Sequence, residues 1–476
     1  MYKVNELISI NPSTNQVVWK GKETSIGELA DIVAKAKKVQ QEWEKVSIDE
    51  KQKIINSFAE YVQAHVDDAA KIISDENGKP FWEAKMEVKS LVNKVQVVFD
   101  AYAERAKTKE KELVNGRKSY TRYRPYGVMA VLGPFNFPMS MPNSHIMPAI
   151  YAGNTVIFKP SERTIKSAEY YVQIWEKAGL PEGVLQIVYG DGKIGEMLIK
   201  SNDVDGALFI GSYKAGKSIE KIMAERNRIC ALEMGGNSPL VIWDYSDIRA
   251  AINIAIQSAY ISSGQRCSAA RRLIVNRLIY DDYIPALKEA IKSIIVGKPY
   301  DKDPEPFMGP MIDKRAVDNF LGDYDELIKM GAEVLVPTSV IDELGMNFVC
   351  PALIDVTAIE NIDKEVFGPL LQLIVVDSIE EAVEISNKTQ YGLAAGIVTE
   401  SKEIYEYYYR NTKVGILNWN QQLTGSTTIN PFGGIKGSGN FHAAGYLSVD
   451  YCAYGCASIE SPNANVPKQL SPGLYF

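Results

Sequence analysis

Gly206-Ala-Leu-Phe-Ile210-Gly211-Ser-Tyr-Lys-Ala-Gly216-Lys-Ser-Ile-Glu-Lys-Ile-Met-Ala-Glu-Arg226 decides the fold. Its first five residues are small or apolar without a break, as in a strand buried on both faces. A turn over 211–216 follows, and the spacing predicts a helix over 217–226. In open α/β sheets, ligands bind beyond the carboxyl ends of such strands. The free N–H groups and positive dipole end of the helix suit a diphosphate. Gly211, Ser212, Tyr213, Lys214, Ala215 and Gly216 are therefore candidate phosphate-binding residues, with the Ser212 hydroxyl as an added donor. An ordinary strand-to-helix turn would read the same way.

Working upstream, the same alternation repeats. Gly153-Asn-Thr-Val-Ile-Phe158 reads as a strand, with Lys159-Pro-Ser161-Glu162 at its carboxyl end. A Lys and a Glu at that place suit ribose hydroxyls. A helix over 164–178 and a strand over 184–189 come next. Gly190-Asp-Gly192-Lys-Ile-Gly195 then matches the dinucleotide fingerprint G-x-G-x-x-G. The fingerprint wants an acid about 20 residues later, and that place holds Ile210-Gly211. We therefore assign the diphosphate to 211–216. The alternation over 153–243 predicts a parallel, doubly wound sheet, with 239–243 closing it. Helices over 26–43, from 48 onward behind a Ser47–Glu50 capping box, 66–77 and 81–106 read as scaffold.

Downstream lies Ser258-Ala-Tyr-Ile-Ser-Ser-Gly264-Gln-Arg-Cys267-Ser-Ala-Ala-Arg-Arg-Leu273. It sets one thiol among small and polar residues. Leu232-Glu233-Met-Gly-Gly236 sets a carboxylate before a glycine pair. A thiol and a carboxylate that meet in a cleft make a nucleophile and a general base. Alone, each has a plainer reading, as a packed thiol and as a solvated charge beside a turn. Gly133-Pro-Phe-Asn136-Phe-Pro138 brackets an asparagine between prolines. Its amide suits a developing oxyanion, or simply caps its own turn. A second α/β region runs to about 440, with helices over 281–295, 313–330 and 378–388. Residues 117–126 alternate like a β-ribbon, and the tail from Ser461 reads as an extended arm.

Composition narrows the classes. The 476 residues are 46% hydrophobic and 23% charged, as in a soluble globular protein of several domains. Net charge is −7, from 52 Lys and Arg against 59 Asp and Glu, which disfavours nucleic-acid binding. No apolar run long enough for a membrane span and no signal-peptide core is evident. Five cysteines in so long a chain make no disulfide framework and suggest a reducing cytoplasm. Three histidines argue against a His-rich metal site.

Taken together, these stretches resemble the aldehyde dehydrogenase superfamily across nearly the whole chain. Pro134-Phe-Asn136-Phe-Pro, Phe158-Lys-Pro-Ser-Glu162, Phe209-Ile-Gly-Ser212, Leu232-Glu233-Met-Gly-Gly, Gly264-Gln-Arg-Cys267, Glu365-Val-Phe367-Gly-Pro and Pro431-Phe-Gly-Gly434 carry the likeness in order. The resemblance implies NAD as cofactor, with Cys267 as nucleophile, Glu233 as base and Asn136 at the oxyanion. It implies Lys159, Ser161 and Glu162 near the adenosine ribose, and Glu365 with Phe367 at the nicotinamide ribose. It further implies a nucleotide domain (1–116 and 134–243), a catalytic domain (244–442) and an oligomerisation ribbon (117–133 and 443–460). A homodimer or dimer of dimers is expected, with no nucleic-acid or membrane partner.

Pro142-Asn-Ser-His145-Ile, Asn418-Trp-Asn-Gln-Gln-Leu-Thr-Gly425 and the ending Leu470-Ser-Pro-Gly-Leu-Tyr-Phe bring the chain nearest to members acting on acidic semialdehydes. Met139-Ser140-Met141 and Lys436-Gly437 depart from those members. An acidic substrate needs cationic partners, for which Arg105 and Arg266 are the expected candidates. Oxidation of another aldehyde and cofactor-free thiol hydrolysis remain alternatives.

Overall fold

The computed structural model describes residues 4–475 apart from 361, 426, 465, 467 and 468. After an antiparallel pair of strands, Glu6–Ile10 and Val17–Lys22, come four helices: Ile26–Trp43, Ile48–Ala64, Val66–Asn77 and Phe81–Arg105. Ser25 with Glu28 and Ser47 with Glu50 form complete capping boxes, so two otherwise free N–H groups are satisfied at each start. These helices pack against a five-stranded sheet of order Leu185–Ile187, Thr155–Lys159, Val128–Leu132, Gly206–Gly211, Ile229–Met234. Every pairing in it is parallel. One face buries Phe58, Tyr171 and Trp175. The other buries Leu29, Val33, Ile194 and Met223. The sheet is doubly wound, as the alternation requires.

A second sheet has seven strands, in the order Glu333–Val336, Ala352–Asp355, Leu370–Val376, Ala270–Asn276, Ser238–Ile242, Ala394–Val398, Ile416–Trp419. Only its first pairing is antiparallel. A ribbon forms separately. Lys118–Pro125 pairs antiparallel with Ala453–Glu460 on one side and Lys109–Glu112 on the other. Among the described residues, no helix is long and apolar enough to cross a membrane.

Several expected boundaries move. Val128–Leu132 belongs to the centre of the first sheet and not to a ribbon over 117–133. All five of its residues are buried, and only a covered sheet hides both faces of a strand. The returning ribbon strand starts at Ala453 and not at 443, because Tyr446–Tyr451 is a helical turn. The strand expected to close the first sheet at 239–243 lies inside the second, as Ser238–Ile242. Gly235 and Gly236 carry the chain from one sheet to the other. A Cβ on Gly235 would sit 1.9 Å from a Glu365 carboxylate oxygen, and one on Gly236 3.0 Å from the Cys267 carbonyl. The helix expected from 217 starts at Tyr213, capped by Ser212. Gly216 is therefore helical, and it packs where a Cβ would meet the Met234 sulfur at 2.3 Å. The expected arm over 461–476 lies partly outside the described residues.

Candidate active site

Cys267 sits in the loop between helix Ile248–Ala259 and strand Ala270–Asn276. That loop is strained and clamped. Ser262, Ser263 and Gly264 have φ of 56°, 54° and 69°. Left-handed serines cost about 1–2 kcal/mol each and persist only where surroundings hold them. Here Ser263 Oγ donates to the Gly309 carbonyl at 2.7 Å, and Ser262 Oγ donates to Glu83. The buried Arg271 guanidinium donates to the carbonyls of Arg266 at 2.9 Å and Gly368 at 3.1 Å. Asn136 Nδ2 donates to the Gln265 carbonyl at 2.8 Å. One amide hydrogen of Asn136 is thereby spent on fixing its plane, and the other remains for a ligand.

Glu233 lies next to the last residue of edge strand Ile229–Met234, just before the crossing glycines. It is 3% exposed, and neither carboxylate oxygen has a hydrogen-bond partner. Its Oε1 is 3.6 Å from His145 Nε2. Burial pushes the Glu233 carboxyl up to about 8, against the pull of the Lys94 ammonium. Burial pushes the Cys267 thiol up to about 12, and the Glu233 and Glu365 carboxylates add to this. The resting thiol is therefore protonated, and these neighbours do not supply the activation expected of a nucleophile. A carboxyl near 8 is instead poised to take and return a proton near neutrality.

Two cavities meet at this thiol. The first holds about 590 Å³ and the second about 550 Å³, and Cys267 and Met141 line both. The first brings together Asn136, Lys159, Ser161, Glu162, Gly211, Ser212, Ala215, Glu233, Glu365 and Phe367. Lys159 is 7% exposed and donates to the Pro160 and Gly190 carbonyls, both at 2.7 Å. Glu365 accepts from Gly236 N–H at 3.1 Å, and burial raises its carboxyl.

Tyr213, Lys214 and Gly216 do not line this cavity. Tyr213 packs edge-on to Tyr391 at 6.3 Å, and Gly216 packs on Met234. The backbone N–H groups of the helix's first turn remain the expected donors there.

Sequence reasoning missed part of the wall. Gly192, Gly195, Glu196 and Ile199, from helix Gly192–Lys200, line the same cavity. The fingerprint-like turn set aside for lack of an acid thus faces it after all. Its paired glycines were the available signal. Ile199 with Ile219 and Ile222 makes an apolar slot at that end. A flat apolar slot, a helix N-terminus, a Lys–Glu pair and a thiol along one wall fit a dinucleotide whose reactive ring lies near Cys267.

The two expected cationic partners separate. Arg266 lines the second cavity, yet it is paired with Glu83 at 2.8 Å and lies over the Phe137 ring at 4.9 Å. Arg105 lines neither cavity. At the end of its long helix, Arg105 Nε donates to Asp450 at 2.7 Å, outside the site. Lys94 carried no sequence signal, since it gains meaning only from Ser140, 46 residues away in the chain.

Comparison with known proteins agrees with this geometry. The model of the aldehyde dehydrogenase family matches residues 3–453. An aldehyde dehydrogenase from Brucella melitensis biovar abortus 2308 is 28% identical with a TM-score of 0.90, covering 97% of this chain and 95% of that one. An Escherichia coli structure described as an NADP dependent enzyme is 25% identical with a TM-score of 0.90, covering 96% and 95%. Lactaldehyde dehydrogenase from Escherichia coli is 25% identical with a TM-score of 0.89, covering 96% of each chain.

Proposed function

The chain belongs to the aldehyde dehydrogenase family, and from that premise we propose that it oxidises an acidic semialdehyde with NAD. N-succinyl-L-glutamate 5-semialdehyde, converted to N-succinyl-L-glutamate in arginine catabolism, is the proposed substrate. The supporting observation is the position of Cys267, where a dinucleotide-sized cavity meets a second cavity open to substrate. A cofactor-free thiol hydrolase has no use for the first of these.

In this reading the Cys267 sulfur attacks the aldehyde carbon from the second cavity. The thiol is hard to ionise, so its proton leaves to solvent as the bond to carbon forms. The oxyanion is held by the free amide hydrogen of Asn136 and the Cys267 N–H. NAD, which Lys159, Glu162, Ser212, Glu365 and Phe367 would hold along the first cavity, would supply the hydride acceptor. Cys267 then carries a thioester. Glu233, ionised, takes a proton from the attacking water and returns it to the Cys267 sulfur as the carbon–sulfur bond breaks and the carboxylic acid leaves.

NAD is proposed over NADP from the wall near the ribose. Glu162 and Glu196 line it against one lysine, whose ammonium faces the Pro160 and Gly190 carbonyls. Two carboxylates repel a 2′-phosphate at close range. A higher kcat/KM with NAD is expected, and equal values for both cofactors would contradict it. We also propose that the ribbon joins subunits, since its outer strands Lys109–Glu112 and Ala453–Glu460 leave pairing edges open. The substrate proposal is tested by steady-state NADH formation. N-succinylglutamate semialdehyde should exceed a neutral aldehyde of similar length by at least about tenfold in kcat/KM, since one charged hydrogen bond contributes roughly 1.5–3 kcal/mol. Equal turnover of both would remove the acidic reading and leave the dehydrogenase.

A further inference from the structure

We infer that Lys94, and neither expected arginine, receives a carboxylate of the substrate in the second cavity. This deepens the acidic-semialdehyde reading and rests on it. The inference begins with the long helix Phe81–Arg105. Met86, Ser90 and Lys94 are spaced by four, so one stripe of that helix faces the cavity, and all three line it. Cys267 lines the same cavity.

The charges around the cavity are matched except at Lys94. Glu83 holds Arg266 at 2.8 Å, and Glu87 holds the buried Lys79 at 2.6 Å. Glu87 also accepts from the N–H groups of Met139 and Ser140, so its oxygens are fully engaged. Lys94 is 8% exposed and donates to one group, the Ser140 carbonyl. An ammonium has three N–H donors. Among the described residues, no carboxylate lies within ion-pair distance of it. Glu233 and Glu87 are near enough to favour its charge, yet burial dominates and pulls the ammonium down to about 8.

A buried cation with unused donors carries a desolvation cost that these two carboxylates only partly offset. An anionic ligand in the cavity offsets that cost, whereas a neutral one leaves it. The rest of the wall suits such a ligand. Ser144, Thr424, Thr427 and Thr428 bring small hydroxyl side chains, and Gln257 and Gln422 bring amides. Lys94 is held by Ser140, within the Met139-Ser140-Met141 stretch that follows the Asn136 loop, so it is positioned from the same segment as the oxyanion amide.

The test is a comparison of kcat/KM for N-succinylglutamate semialdehyde and for a neutral aldehyde of similar length, in the wild type and in Lys94→Met. The wild-type ratio should exceed about tenfold, and Lys94→Met should lower that ratio at least about tenfold through KM for the acidic substrate. Any change in Glu233 acts on both substrates and cancels in the ratio. Lys94→Arg should keep part of the preference. If Lys94→Met does not fold, Lys94→Gln carries the test with the same expected loss, because it removes the charge and keeps an N–H donor on the side chain. A retained ratio in the variant overturns the role of Lys94 while the acidic reading stands. A wild type without preference overturns the acidic reading, and the inference with it.

Discussion

Glu233 is a carboxylate without a partner, and its chemistry follows from that. Its carboxyl sits near 8, so the base is protonated below that value and ionised above it. Where thioester hydrolysis limits turnover, kcat should climb as pH rises through about 8. A kcat flat across that range would argue that Glu233 is not the base. The same shift bears on stability. A group that binds its proton more tightly when folded loses stability as pH rises between its unfolded and folded values. Glu233→Gln should therefore gain in melting temperature over the wild type on going from the ordinary carboxylate range to above about 8. A constant difference between the two proteins would contradict a carboxylate whose burial outweighs the pull of Lys94. Cys267, Glu233 and Asn136 could be named as candidates from the sequence because several stretches follow one another in a family's order, and the structure brings all three to one cavity. Lys94 was not, since a lysine on a helix reads as solvated until its helix is docked against Ser140.

At the scale of elements, the loop before Cys267 makes the sharpest prediction. Gly264 has φ of 69°, and a Cβ there would lie 2.2 Å from the Gly368 carbonyl oxygen, which is backbone and cannot swing away. Gly264→Ala should cost more than about 2 kcal/mol, combining left-handed strain with that clash. The checks are a lowered melting temperature and activity lost beyond what unfolding explains. Wild-type stability in this variant would mean the loop is not clamped as described. The strand–helix alternation over 153–226 was readable because period and glycine punctuation agree. The helix start was misplaced by four residues because a serine cap followed by a glycine inside the first turn looks like a loop. Gly216 is there to let the helix approach Met234 closely, a fact of packing that spacing does not carry.

For the whole molecule, two α/β sheets and a ribbon were foreseen, while the assignment of single strands to sheets was not. Ser238–Ile242 and Val128–Leu132 are both fully buried, the second wholly and the first largely apolar. Nothing local distinguishes the sheet each joins, and the crossing at Gly235-Gly236 decides it. The ribbon's proposed role predicts an oligomer by light scattering, and placing Lys at Ile459, now 67% exposed on the outer strand, should shift it toward smaller species. An unchanged mass would place the subunit contact elsewhere.

The central claim is that Cys267 carries the substrate as a thioester formed only with NAD and released by Glu233. Intact-protein mass of Glu233→Gln, taken just after mixing with NAD and N-succinylglutamate semialdehyde, tests it most directly. The account predicts one acyl adduct per chain alongside an NADH burst, absent without NAD and absent when Cys267 is also replaced by Ala. NADH formation with no adduct, or an adduct that survives loss of Cys267, would contradict it.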